Sequence, residues 1–430
     1  MQQRTREAPD RTAGLSLIML ALLPFGLGYF FSYLYRAVNA VVAPDLVRDL
    51  GLTAAELGLL TSAYLLAFAL FQPMLGILLD RFGPRRVQSA LVALGAAGAL
   101  LFAFGNDAVT LAVARGIIGI GFAGGLMSSF KAVVIWVPEA RRALANACVM
   151  SLGGLGLILA TAPMAWLTAQ LGWRHAFVGL AVATFVVAAL ILFVVPERSG
   201  TIAAKPAPLP AQLREVAGIY RDPVFLALAP VLAIPAGTHI ALQTLWAGPW
   251  LHDIVGLDRG AVAQHLFVMG LAFLAGILVS GVVADWLTRR GVSLLSVNIG
   301  FLLVFLVAQV SIILEGRFAP PLLSWSVFVM TGSAAVLAYP WLSSYFGVAR
   351  SGRSNTAVNL LMFGMAFLVQ AAVGWIIDLY PKSPTGGYAP EAYRVAFSIA
   401  LALQVIALAW YLANRRLLSA AEREMRSTSI

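Results

Sequence analysis

Arginine is among the side chains hydrocarbon tolerates least, and this chain places one, Arg36, inside the apolar run Tyr33-Leu34-Tyr35-Arg36-Ala37-Val38-Asn39-Ala40-Val41-Val42-Ala43-Pro44. Its guanidinium stays protonated and offers five donors in a planar fork. Turned toward a water-filled cavity, it would hold a carboxylate or phosphate through two parallel hydrogen bonds. Turned outward, it would snorkel to the membrane surface. We take the first reading, because an intramembrane charge is costly and calls for a use. Asn39, three residues on, falls on the same helical face. Lys131, in a later apolar run, is either a second cationic contact or a snorkelling side chain. His239, in Thr238-His239-Ile240-Ala241-Leu242-Gln243-Thr244-Leu245-Trp246, titrates near neutral pH. It reads as a pH-sensitive ligand or as a hydrogen-bonded structural residue. Gln243, Trp246, Tyr339, Asn355, Asn359 and Gln370 are further polar or amphipathic candidates for lining such a cavity. Together these groups can recognise an anion. The sequence holds no nucleophile–base pair, metal-ligand spacing or phosphate-cradling loop, and its one cysteine is Cys148. No enzyme activity, cofactor or metal is expected.

The elements that position these residues follow from composition. Of 430 residues, 60% are hydrophobic and 11% charged, against roughly 25% charged in soluble domains. A soluble globule of this length could not bury so much apolar surface, whereas lipid lets it face outward. Apolar runs long enough to cross a bilayer fall at 15–43, 53–79, 87–105, 110–137, 143–170 and 174–195. Six more fall at 223–251, 260–287, 292–314, 320–347, 355–379 and 392–413. The sequence therefore predicts an all-α membrane protein of twelve transmembrane helices in two six-helix bundles. Residues 1–195 form the first bundle and 223–430 the second. Between them, 196–222 is a polar, proline-containing cytoplasmic linker with room for a short interfacial helix. Basic residues orient the chain. Of 29 Lys and Arg residues, three lie in spans, and six (Arg48, Arg174, Arg259, Arg317, Lys382 and Arg394) lie on the external side. The remaining 20 are cytoplasmic when both termini are placed there. The net charge of +10 is thus a matter of topology and not of nucleic-acid binding.

Two segments of like pattern close the second helix of each half. They are Gly76-Ile77-Leu78-Leu79-Asp80-Arg81-Phe82-Gly83-Pro84-Arg85-Arg86 and Gly281-Val282-Val283-Ala284-Asp285-Trp286-Leu287-Thr288-Arg289-Arg290-Gly291. A carboxylate at a helix C-terminus opposes the helix dipole and needs cationic partners. Such a cluster can join the halves in one conformation and release them in another. With the 6+6 layout, the G-x-x-x-D-R-x-G-x-R-R loop resembles that of the major facilitator superfamily. Arg115-Gly116-Ile117-Ile118-Gly119-Ile120-Gly121 and Gly172-Trp173-Arg174 are similar to recurring elements of the same family. The resemblance implies a central site near the midplane, lined by helices 1, 4, 7 and 10. It implies gating or conformational roles for Gly76, Asp80, Arg81, Gly83, Arg85, Arg86, Asp285 and Arg289. Arg115 is tied to proton coupling in antiporters of the family, and interhelical hydrogen bonding is the other reading here. The stretch around Arg36 also resembles helix 1 of the organophosphate:phosphate antiporters and the anion:cation symporters. The second arginine of the former, in helix 7, is absent, and His239 is the nearest cation.

All 19 acidic residues fall in loops, tails or span ends, Asp378 coming nearest a span interior. Helix 5 also lacks the Gly-Pro pair that resembling drug antiporters carry. The expected function is secondary active transport of a small organic anion, of the carboxylate type, by alternating access. Import by proton symport or anion exchange is preferred, with export of drugs or amphipathic compounds as the alternative and a transporter-like sensor further off. The expected setting is the bacterial inner membrane, as a multi-pass monomer with lipid and a small molecule as partners.

Overall fold

The computed structural model describes residues 11–137, 142–196, 209–315, 317–382 and 387–428, and every regular element among them is helical. Ten helices are long and apolar enough to cross a bilayer. Two further crossings are interrupted. The first is made by α1 (Arg11–Ala37) and α2 (Asn39–Leu50), and so runs beyond the expected end at 43. The fifth begins with α6 (Arg142–Leu159) and continues into α7 (Ala162–Phe193). All twelve expected crossings are present.

Local signals set where helices begin and turn. The second and third crossings share one run, α3 (Ala54–Phe104), which starts at a capping box of Thr53 and Glu56 and turns at Gly83 (φ 76°, ψ 163°). The fifth and sixth share α7, which turns at Gly172 (φ 76°, ψ 155°). Only glycine adopts that backbone without strain, which accounts for the glycine at both turns of the sequence motifs. Asp107 caps the fourth crossing, formed by α4 (Ala108–Phe122) and α5 (Gly125–Trp136). Next comes α8 (Leu209–Arg221), the short helix expected in the linker; residues 197–208 lie outside the described residues. Asp222 caps the seventh crossing, which comprises α9 (Pro223–Ala241), a π-helical turn (Leu242–Trp246) and α10 (Ala247–Asp253). The eighth is α11 (Arg259–Thr288), capped by Asp258, and the ninth is α12 (Leu294–Ile313), capped by Ser293. The tenth comprises α13 (Pro321–Gly332), a 3-10 turn (Ser333–Leu337) and α14 (Ala338–Phe346). The chain ends with α15 (Val348–Asp378), α16 (Pro390–Ala413) and the amphipathic α17 (Arg415–Thr428).

Burial separates central from peripheral crossings. The seventh is 78% buried over its most apolar stretch and the twelfth only 28%, so the former sits among its neighbours and the latter faces lipid. Large apolar side chains such as Leu70, Val282, Val307, Leu368 and Ile406 are exposed on the outer surface, as a hydrocarbon solvent allows.

Three crossings lose regular α-helix along their length: the fourth at Ala123–Gly124, the seventh in its π turn and the tenth in its 3-10 turn. The first keeps helical φ and ψ at Val38, where α1 meets α2. Irregular backbone at such depth is tolerated only where protein or a water-filled space surrounds it, and π turns concentrate at functional sites. All three irregularities border one cavity.

Candidate functional site

The cavity lies where the two halves meet and encloses about 1100 Å³ not filled by protein atoms, its mouth included. Its lining runs from Arg36 and Thr244 through Gln72, Met127, Ile277 and Tyr339, toward the end of the molecule that carries Gly83. No carboxylate side chain is among the described residues that line it.

Arg36 is buried in this wall, 8% exposed. Aromatic rings surround its guanidinium: the centroids of Tyr33, Phe363, Phe68 and Tyr64 lie 4.7, 4.9, 5.3 and 6.0 Å from Cζ. Electron-rich ring faces stabilise a cation but do not neutralise it. No ion pair to Arg36 occurs among the described residues, and its Nε has no hydrogen-bond partner. Phe68 and Phe363, on α3 and α15, touch across the junction at 4.3 Å, so both halves build the cage.

His239 also lines the cavity. It stacks on Phe273 at 6.1 Å and packs against Phe328 at 5.8 Å, with Nε2 unpartnered. Gln243 lines the wall one turn further along the same crossing. Tyr339 donates a hydrogen bond to Oδ1 of Asn359, and both line the cavity. The structure thus brings Arg36, His239, Gln243, Tyr339 and Asn359 together.

Three proposed ligands stand elsewhere. Asn39, about 60° around the helix from Arg36, faces α3, and its Nδ2 donates to Thr61 at 3.1 Å. Lys131 donates to the Leu79 carbonyl at 2.8 Å and so ties α5 to the second crossing. Trp246 is fully buried, donates to the Gln370 carbonyl at 3.1 Å and wedges beside Gly58 and Gly374. Asn355 bonds Ser343, and Gln370 accepts from Thr244, both outside the cavity lining. Sequence reasoning missed Tyr29, Ser32, Tyr33, Gln72, Thr244 and Ser333, all of which line the wall. Ser32, Tyr33 and Gln72 lie one turn from Arg36 or on crossings flanking the expected four, a periodicity that could have found the first two.

The described contacts of the motif residues stay within one half. A Cβ at Gly76 or Gly281 would meet nothing within 4 Å, so neither glycine sits at a close helix approach. Asp285 pairs with Arg289 of its own helix at 2.9 Å, both well exposed. Arg81 lies over Phe82 at 5.3 Å, Arg85 donates to the Leu192 carbonyl at 2.9 Å within the first half, and Arg86 is exposed. The side chain of Asp80 lies outside the described residues. Arg115, buried at 1% exposure, donates to the Tyr35 carbonyl at 2.7 Å and packs over Tyr64 at 4.9 Å.

The halves are joined at the opposite end. Arg259 grips Asp45 with two hydrogen bonds, of 2.9 and 2.6 Å, and donates to Thr168 at 2.9 Å. Asp378 accepts the Ala54 and Ala55 backbone N–H groups at 2.9 and 2.7 Å, placing a carboxylate on the positive end of α3. Backbones close in around these bonds. A Cβ at Gly374 would lie 2.4 Å from the Ala54 carbonyl oxygen, and one at Gly248 would lie 2.6 Å from that of Ala40. The Gly172-Trp173-Arg174 motif braces this end: Trp173 donates to Asp49, and Arg174 to the Gly105 carbonyl and to Asn106.

The family model of the Major Facilitator Superfamily matches residues 25–369. The chain belongs to this superfamily, a family of transporters and not of enzymes. Its curated relatives include the probable sulfoacetate transporter SauU of Cupriavidus necator, 26% identical over 81% of this chain and 85% of that protein. Another is the D-galactonate transporter of Escherichia coli, 28% identical over 66% and 70%. Among solved structures, a bacterial homolog of the human lysosomal transporter Spinster superposes with a TM-score of 0.73 at 18% identity, covering 96% of this chain and 99% of that one. The nucleoside transporter NupG gives 0.71 at 14%, covering 93% and 99%. Both share the superfamily fold of two bundles around a central cavity, which explains why the residues that line this one come from opposite ends of the sequence.

Proposed function

We propose that the protein is a secondary transporter that carries a small organic anion across the bacterial inner membrane by alternating access. The observation that carries this reading is Arg36, a caged cation in the wall of a central cavity whose described lining holds no carboxylate to neutralise it. The relatives named for sulfoacetate and D-galactonate support the charge of the cargo. In this reading Arg36 holds the anionic group, with His239, Gln243, Tyr339 and Asn359 around the remainder. Arg259, Asp45 and Asp378 close the external end, and the Gly83 end opens to the cytoplasm with both termini. The motif arginines and Asp285 engage when that end closes. Residues 1–195 and 223–430 are the bundles that rock, 196–222 joins them, and one chain suffices. Uptake runs as proton symport or as exchange for another anion.

A thermal-shift screen of the purified protein against carboxylates, sulfonates, phosphate esters and neutral analogues tests this directly, since a ligand of the folded state raises its apparent stability. An anion should stabilise the native protein. Arg36→Ala should weaken that binding roughly 10- to 100-fold, the worth of a lost charged hydrogen-bond pair. Stabilisation by neutral compounds alone, or an unchanged response in the variant, would remove Arg36 from the site. The mainly apolar wall favours a second reading, export of amphipathic compounds. Raised drug susceptibility in a deletion strain, with no loss of anion uptake, would select it.

A further inference from the structure

The wall of the cavity says more about the cargo than its charge. Most of the polar side chains on it already give their donors to the protein. Gln72 donates to the Phe68 and Ala123 carbonyls, Thr244 to Ile240, Ser333 to Met330, and Tyr339 to Asn359. The Nε of Arg36, the Nε2 of His239 and the amide of Gln243 have no hydrogen-bond partner among the described residues, while the Arg36 guanidinium keeps one side-chain bond, to Tyr64. Between these groups the surface is hydrocarbon, aromatic ring and thioether: Met127, Met150, Met362, Phe273, Ile277 and Val336. Methionine is unbranched and polarizable and fits itself to apolar bodies of varied shape. A molecule bearing a hydroxyl on every carbon would find few partners on such a wall, and each unpaired hydroxyl costs affinity.

The cation sets a second limit. Rings lie within 5.3 Å of the Arg36 guanidinium on several sides and Tyr64 takes one of its hydrogen bonds, which leaves the rest of its hydrogen-bonding edge for an oxyanion. His239 packs among Phe273, Phe305 and Phe328, and no further Lys or Arg lines the cavity among the described residues. One cationic edge is matched by one anionic group.

We infer that the cargo is a monoanion, a carboxylate or sulfonate, with a compact apolar body of aryl or short alkyl character, in place of a polyhydroxylated acid. This rests on the anion-carrier reading above and narrows it. The test is thermal stabilisation of the full-length protein in detergent by benzoate, phenylacetate, hexanoate and hexanesulfonate, set against D-galactonate, D-glucuronate and D-glucarate. The neutral analogues benzamide and hexanol complete the panel. The apolar monoanions should act at concentrations at least tenfold below the polyhydroxy acids, and Arg36→Ala should abolish their effect. Met150→Gln, which makes the wall polar at nearly constant volume, should narrow that ratio, while Met150→Leu should keep it. A preference for galactonate, glucuronate or glucarate that Arg36→Ala removes would overturn the inference and leave the anion carrier standing. Equal stabilisation by the neutral analogues, or stabilisation that persists in Arg36→Ala, would overturn both, since neither outcome needs a caged cation.

Discussion

At the scale of the residue, the distinction that matters is between polar groups that face the cavity and polar groups that hold helices together. Arg36 and Asn39 show it most clearly. They are three residues apart and share a face in any regular helix. Their offset of about 60° around the helix leaves Arg36 in the wall and turns Asn39 to Thr61. Asn39→Ala should therefore lower thermal stability, by about 1 kcal/mol for one lost buried hydrogen bond. The affinity of the inserted protein for its anion should stay unchanged. Loss of affinity without loss of stability would return Asn39 to the binding site. The charge of Arg36 was legible in the sequence because a lone arginine among apolar residues has few explanations. The partner of Asn39 was not, because which neighbour a shared helical face meets is set by packing against α3 and not by the local sequence. Trp246 was misplaced for a related reason: an indole suits a cavity wall or a helix junction equally well, and its partner Gln370 is 124 residues away.

At the scale of the element, the crossings themselves were legible from hydropathy alone, since length and apolarity are what a bilayer demands. The contacts that hold one end shut were not. Asp45 and Arg259 are separated by 214 residues, and Ala54 and Asp378 by 324; no periodicity connects such pairs. Their chemistry predicts a conformational effect. Asp45→Asn removes the charge that Arg259 grips, and Gly374→Leu drives a side chain into the Ala54 backbone, which cannot step aside. Each substitution should shift the population toward a form open at this end. Cys148, the one cysteine, is exposed, so it is first replaced by serine. A single cysteine introduced at Val47 or Val262, beside the closed junction, should then react several-fold faster with a membrane-impermeant maleimide in either variant. An unchanged labelling rate would show that these contacts do not set the conformation. The Gly83 end offers the complementary case. Its charged motif, plain in the sequence, makes its ion pair within a single helix here, so Asp285→Asn should leave the labelling rate of the closed end within about twofold.

At the scale of the whole molecule, an even number of crossings puts both termini on one side, and the orientation proposed from the basic residues makes that side the cytoplasm. Reporter fusions after residue 382 and after residue 428 should report opposite sides, external and cytoplasmic; the same side for both would break the count. The cavity adds a consequence of a different kind. On the proposed reading, with one fixed positive charge in the cavity and a monoanion on board, the loaded site is electrically neutral as it turns, and the empty site turns as a cation. Voltage then works on the return stroke and not on the loaded one. Across 100 mV an elementary charge is worth about 2.3 kcal/mol, roughly a fiftyfold bias in accumulation. In a cell whose interior is negative, that bias favours expulsion of the anion. Uptake against it requires at least one proton inward or one anion outward per turn. The cargo's own charge sets that requirement, and the arginine decides which stroke feels the voltage.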